Sequence, residues 1–234
     1  IRIYKFQITM NNLTLLIPAK KEAESLPEAR KELKDFNYKI NVILDKGDKS
    51  TMNAVKDFDI EIIYQNGNGY GNALIEGINL CKTKYFCIFN ADGSFNPIEI
   101  SEIMKKIELT NTDFIFASRY EKNAGSEDDT LITLCGNFLF SLIGKVFFKL
   151  KISDILYTFV IADSEKARSL NLTSNDFRFC VELPIAAHKK NFKLDVYPSY
   201  ERKRIAGKKK INAFKDGFLI LKKLIYLYFT TKIS

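Results

Sequence analysis

The chain has 234 residues, 46% hydrophobic and 27% charged, enough apolar material for one large globular core and unlike a disordered or low-complexity protein. Its net charge of +8 sits at one end: from Tyr200 to Ser234 ten Lys/Arg face only Glu201 and Asp216, so everything before is neutral and the tail alone seeks anions. A single histidine, His188, argues against a His-rich metal site or a Ser-His-Asp hydrolase, and Cys81, Cys87, Cys135 and Cys180 lack paired spacing, so they read as buried, reduced thiols of a cytosolic protein.

Ile1 to Gln7 alternates like a strand, with no secretory signal, and no uninterrupted apolar run reaches the roughly 18 residues of a spanning helix. Leu13 to Ile17 predicts a short buried strand stopped by Pro18. A polar helix follows from about Ser25 to Asp35, with Ser25 as N-cap, Pro27 in the first turn and Glu28 completing the capping box. Strands are expected at Ile40 to Leu44 and Ile60 to Tyr64. Leu74, Ile75, Ile78 and Cys81 form one apolar helical face over Gly71 to Cys81. Tyr85 to Phe89 is a fourth strand, Pro97 starts a helix to about Leu109, and Phe114 to Ala117 is a fifth strand. Short strands alternating with helices predict an α/β fold with a mostly parallel sheet.

Beyond Arg119 the pattern changes. Glu121 to Asp129 is a polar loop, expected to be mobile. Leu131 to Leu150 reads as a helix apolar nearly all round, destined either for the core or for a membrane or partner surface. A strand at Tyr157 to Ala162, a helix at Phe177 to His188 and a strand at Phe192 to Tyr197 follow. Phe214 to Phe229 is a basic, aromatic helix. The expected division is one domain over 1–211, with a first half over about 13–119 and a second over about 120–211, and a C-terminal helix over 212–234.

Four features fall where such a sheet would open a ligand crevice. Pro18, Ala19 and Glu22 follow the first strand and Asp45 the second. After the third, Gly67, Gly69 and Gly71 let backbone approach a ligand closely, before a helix N-terminus that favours anions. The fourth strand ends in Asn90-Ala91-Asp92-Gly93-Ser94, a carboxylate-bearing turn at the edge where open α/β sheets bind ligands. Each of these is also what an ordinary turn would contain. Their order is what points to a site.

The series resembles the family-2 inverting glycosyltransferases of the GT-A fold, particularly the branch of dolichol-phosphate mannose synthase and polyprenyl-phosphate glycosyltransferases. Ile17-Pro18-Ala19-Lys20-Lys21-Glu22 is similar to the end of that family's first strand, and Asp45-Lys46-Gly47-Asp48 to its Asp-Asp-Gly-Ser. Gly69-Tyr70-Gly71-Asn72-Ala73 is similar to its glycine turn, Asn90-Ala91-Asp92 to its metal motif, Ala117-Ser118-Arg119 to its Gly-Ser-Arg, and Arg204 to Lys210 to its late basic motif. The resemblance implies that Pro18, Ala19, Glu22, Asp45, Gly69, Gly71, Asn90 and Ala91 line a nucleotide-sugar pocket (UDP- or GDP-linked). It implies that Asp92, with Asn90 as a neutral second ligand, holds Mg2+ or Mn2+, and that Arg119, Arg204 and Lys210 bind acceptor or donor phosphate. Asp92, Arg119 and Arg204 are then the catalytic set. Asn90 stands where the family has Asp, so a metal here would lean more on the substrate's phosphates.

By the same resemblance the acceptor is a polyprenyl phosphate, itself an anionic nucleophile that needs no histidine base. The helices at Leu131 to Leu150 and Phe214 to Phe229 then read as lying in a membrane interface on the cytoplasmic side, with a homo-oligomer contact or simple packing on the domain as the other uses of the second. A hydroxyl acceptor would instead require a carboxylate base, with Asp154 and Glu182 available. From a different class, the chain could be an inactive, anion-binding scaffold. Lysines interleaved with Leu, Ile and Phe fit nucleic acid poorly, and none is expected as a partner.

Overall fold

A computed structural model describes residues 12–207 and 209–231. The strand expected at Ile1 to Gln7, and Lys208 and Lys232 of the basic tail, lie outside the described residues. The first half is built as expected from alternating strands and helices. Strands β1 (Leu13–Ala19), β2 (Lys39–Leu44), β3 (Glu61–Tyr64), β4 (Tyr85–Ile88) and β5 (Phe114–Ser118) are interspersed with helices α1 (Leu26–Glu32), α2 (Lys49–Val55), α3 (Tyr70–Leu80) and α4 (Pro97–Thr110). The second half contributes β6 (Gly125–Ser126), α5 (Leu131–Phe148), β7 (Val160–Asp163), α6 (Ser164–Ser169), α7 (Phe179–Lys189), β8 (Leu194–Pro198), β9 (Tyr200–Glu201) and α8 (Ala213–Thr231).

Seven strands form one sheet in the order β3-β2-β1-β4-β7-β5-β8, all parallel except β7, and β6 pairs with β9 separately. Alternate residues of each strand face opposite layers, as a period of two requires. Leu16 joins a core with α3, α5, α7 and α8, whereas Leu13, Leu15 and Ile17 join one with α1 and α4.

Several expectations are corrected in detail. Pro18 does not stop β1, which pairs with β2 as far as Ala19. Pairing with β4 ends at Leu16, so Pro18 stands where that flank is open and its missing N–H costs no ladder bond. Ser25 does not cap α1, because its hydroxyl donates to the Glu22 carboxylate, and the helix is shorter than expected, passing into a 3-10 turn at Lys34–Phe36. The short helices α2 and α6 carry too little apolar periodicity to read from sequence. Each is set by an aspartate cap, Asp48 accepting from the Thr51 amide and Asp163 from the Lys166 amide. The polar loop after Arg119 is tied down by β6 pairing with β9. Cys135 is exposed, unlike the other three cysteines.

Helix α5 is not a core helix. Leu131, Ile132, Phe138, Leu139, Val146 and Phe147 are each more than half exposed. By length and composition it is also, among the described residues, the one helix that could cross a membrane, while Thr133, Asn137, Ser141 and Lys145 interrupt its apolar run as expected. Its inner edge packs on α8, whose Ile220, Leu224 and Leu227 are buried while Phe214, Phe218, Tyr226 and Phe229 stay open to solvent.

Candidate active site

The strand order reverses between β1 and β4, since the chain moves outward to β2 and β3 and then returns to the other side of β1. Ligand crevices of open α/β sheets form at this switch point, outside the carboxyl ends of the strands. Pro18, Ala19 and Asn90 stand at those ends, with Asp45 directly after β2 and Ala91-Asp92 after β4. The fold therefore brings five of the expected donor-site positions, and Asp92, to one edge.

Asp92 is fixed by its own turn. Oδ1 accepts from the Ser94 amide (3.1 Å) and the Ser94 hydroxyl (2.7 Å), while Gly93 adopts φ +75°, which a side chain rarely tolerates. Phe95 anchors the turn below, fully buried and stacked on Phe159 at 4.7 Å. The second oxygen, Oδ2, pairs with the Arg204 guanidinium at 3.5 Å.

Residues 202–207, with 209 and 210, lie across this turn as a strap. The Arg202 amide donates to the Ser94 carbonyl (2.8 Å) and the Ile205 amide to the Asp92 carbonyl (2.8 Å), and the Ile205 side chain fills the space a Cβ would need on Gly93. Arg204 is held in a fork by Asp128, at 2.7 and 3.3 Å, leaving Nη1 towards Asp92. Lys209 joins it on Asp128 at 3.1 Å. Lys210 pairs with Glu22, which also receives Ser25. Burial pushes the Asp128 carboxyl up, but Arg204 and Lys209 more than reverse this and hold it below the usual range. The basic tail thus covers the acids of the crevice. Asp128 escaped the sequence reading; its signal was the acidic run Glu127-Asp128-Asp129 inside a loop read only as polar.

Arg119 is not open to a phosphate. Its Nε and Nη2 donate to Asp154 at 2.7 and 3.1 Å, and Nη1 donates to Glu201 at 3.0 Å and reaches Asp129 at 3.5 Å. Its face stacks on Tyr157, 4.6 Å from the ring centre. Every nitrogen of the fork meets a carboxylate, as in Arg204, but the Arg119 side chain is only 8% exposed against 21% for Arg204, so Arg119 braces the loop, β9 and the approach to β7 rather than presenting charge to a ligand. The same geometry removes Asp154 as an open base. Glu182 is likewise buried, receiving Lys223 at 2.8 Å and the Ser174 amide at 2.7 Å.

The glycine turn departs from expectation too. A Cβ on Gly69 would meet the Asn175 carbonyl at 2.3 Å, and one on Gly71 the Ser174 carbonyl at 2.1 Å. The glycines admit the chain's own 174–176 segment. Tyr70 between them stacks on Phe177 and shares a 2.7 Å hydrogen bond with Thr158.

Asp45 accepts from the Gly47 amide (2.9 Å) and sits 3.7 Å from Lys20. Asp48, three residues on, receives the Lys21 amide as well as Thr51 and Ser50, stitching the end of β1 to the start of α2. Burial pushes its carboxyl up, but these hydrogen bonds prevail and hold it at about 2. A depressed carboxylate stabilises fully above its unfolded value near 4, and that contribution is lost as pH falls through about 2. Replacing Asp48 by Asn should therefore flatten the fall in thermal stability between those two pH values, measured by circular dichroism. An unchanged profile would contradict the stitch.

The sheet order and the single antiparallel strand of that sheet are those of a GT-A glycosyltransferase fold. Glucosyl-3-phosphoglycerate synthase from Mycobacterium tuberculosis, solved with Mn2+, UDP and phosphoglyceric acid, superposes with a TM-score of 0.73 at 11% identity, covering 97% of this chain and 82% of that one. The same enzyme with Mg2+ and UDP gives 0.71 at 10% identity, over 96% and 83%. The family model "Glycosyl transferase family 2" matches residues 14–169, more than half of the chain. The chain belongs to glycosyl transferase family 2, enzymes that use a nucleotide-sugar donor. Among relatives, the uncharacterized protein MJ1222 of Methanocaldococcus jannaschii is 26% identical over 94% of this chain and 95% of its own length. Glycosyltransferase AglJ of Haloferax volcanii is 20% identical over 92% and 72%.

Proposed function

We propose that the enzyme transfers a sugar from its nucleotide donor to a polyprenyl phosphate, with inversion, at the cytoplasmic face of a membrane. The observation that carries this reading is where the exposed apolar helices begin. Helix α5 starts two residues after the Asp128-Asp129 pair, and α8 starts three residues after Lys210. Both helices with open apolar faces thus begin beside the strap residues. A lipid chain could lie against them while its phosphate reaches Arg204 and Lys209, whose charges favour an anionic head. Exposed Lys145, Lys215 and Lys222 on the same helices suit an anionic lipid surface.

A lipid phosphate is already an anion, so no base is required. The protein's part is to hold that phosphate in line with the anomeric carbon and to stabilise charge on the departing diphosphate. Arg204 is preorganised for this by Asp128. For a divalent cation, the fit rests on hard oxygen donors: Oδ2 of Asp92 and the amide of Asn90. Among the described residues no group of three or more acids, histidines or cysteines forms a ready-made cage. Such a set suits Mg2+ or Mn2+ carried in on the donor's phosphates, because these ions commonly combine one or two carboxylates with substrate oxygens. When bound, the cation would neutralise the diphosphate leaving group. A hydroxyl acceptor is the poorer reading, since Asp154 and Glu182 are both tied into buried ion pairs.

Two measurements test the acceptor. Transfer should occur to a polyprenyl phosphate and be absent with the corresponding alcohol; transfer to a free sugar hydroxyl alone would overturn the proposal. Replacing Phe214, Phe218, Tyr226 and Phe229 by Ser should release the protein from vesicles containing anionic lipid, read by co-sedimentation, with the fold intact. Undiminished sedimentation would count against the membrane role of α8.

A further inference from the structure

Helix α7 packs against both α8 and α3, which the glycine turn opens, and one of its carboxylates touches what holds both. Glu182 Oε1 receives the Lys223 ammonium of α8 at 2.8 Å and the Thr173 hydroxyl at 3.0 Å. Its Oε2 receives two successive backbone amides, Thr173 at 3.2 Å and Ser174 at 2.7 Å. The carbonyls that come next, Ser174 and Asn175, are the atoms pressed against Gly71 and Gly69, and the Asn72 amide donates to Asn175 at 3.0 Å. Gly71 also abuts Phe179 at the start of α7. Both partners of the ion pair are nearly buried.

We infer that the Glu182–Lys223 pair transmits the seating of α8 to the glycine turn, making Glu182 a positioning residue for the nucleotide sugar. A buried ion pair is a weak source of stability, because desolvating both charges offsets their attraction. This one instead fixes geometry. With Lys223 in place, the carboxylate points its second oxygen at the 173–174 amides and clamps the segment that shapes the turn. With Lys223 absent, an uncompensated buried charge draws water or swings outward, and the amides lose their acceptor. Since α8 bears the open apolar face, occupancy of that face and donor binding become coupled through one carboxylate.

The inference rests on the proposed donor site reaching the start of α3, where the glycines themselves are packed by residues 174–176, so its test has two readouts. In the full-length chain, hydrogen exchange at the amides of residues 69–73 is compared between the wild type, Lys223→Met and Lys223→Arg, with the exposed Lys222→Met as control. Exchange should quicken about tenfold or more in Lys223→Met, return towards the wild-type rate in Lys223→Arg and stay unchanged in the control. If Lys223→Met does not fold, Glu182→Gln, similar in volume, takes its place. Wild-type exchange in a folded variant overturns the coupling. In transfer assays KM for the nucleotide sugar should rise about tenfold with kcat nearly kept. A fall in kcat at constant KM would mean a structural role only. Should the wild type bind no nucleotide sugar at all, the proposed function fails while the exchange measurement still decides the coupling.

Discussion

Replacing Asp92 by Asn should lower the transfer rate about a hundredfold or more while leaving the melting temperature nearly unchanged. Oδ1 serves the turn by accepting from Ser94, and an asparagine oxygen can keep that task. Oδ2, which pairs with Arg204 at 3.5 Å, carries the charge that the substitution removes. The rate loss should not be recovered by raising the nucleotide-sugar concentration, because the charge acts on the departing diphosphate. A variant with near-normal turnover would remove Asp92 from the mechanism. A variant that loses activity only by unfolding would make the residue a structural turn former.

Replacing Asp154 by Ala should behave in the opposite way. Asp154 is fully buried and receives two arms of the Arg119 fork, so its loss leaves a buried cation with only Glu201 and Asp129. Breaking one partner of such a pair costs about 3–5 kcal/mol, which in a chain of this size lowers the melting temperature by about 10 °C or more. Any activity that remains at low temperature should keep its KM for the nucleotide sugar. If the variant melts like the wild type, the network around Arg119 is not the brace described here. If it is stable but inactive, Asp154 belongs to the chemistry after all.

These two contrasting expectations mark what could and could not be read from the residues in order. The parallel half was legible because each strand is a short apolar run and each long helix has a clear face. The sheet edge followed from where those strands end, and Asp92, Asp45, Pro18 and Ala19 all stand at it. Long-range partners were not legible. Arg119 looks like any phosphate-binding arginine until Asp154 and Glu201, 35 and 82 residues away along the chain, are folded against it. Gly69 and Gly71 have the spacing of a ligand turn, and only the packed chain reveals that the 174–176 backbone fills the space their missing side chains leave. Helix α2 was invisible because one aspartate cap, not a periodic face, decides it. The apolar girth of α5 was plain, but whether it faced inward or outward depended on α8 covering only one of its edges.

The central claim is that the edge between β1 and β4 cradles the diphosphate of a nucleotide sugar, with the strap ions giving way to it. The most direct measurement is calorimetric titration of UDP- and GDP-sugars into the full-length protein, with and without Mn2+, for the wild type and Asp92→Asn. The account predicts saturable binding of one nucleotide class by the wild type, strengthened by Mn2+, with the metal effect lost in the variant. Binding that is indifferent to both Mn2+ and Asp92, or no binding of either class, would contradict it.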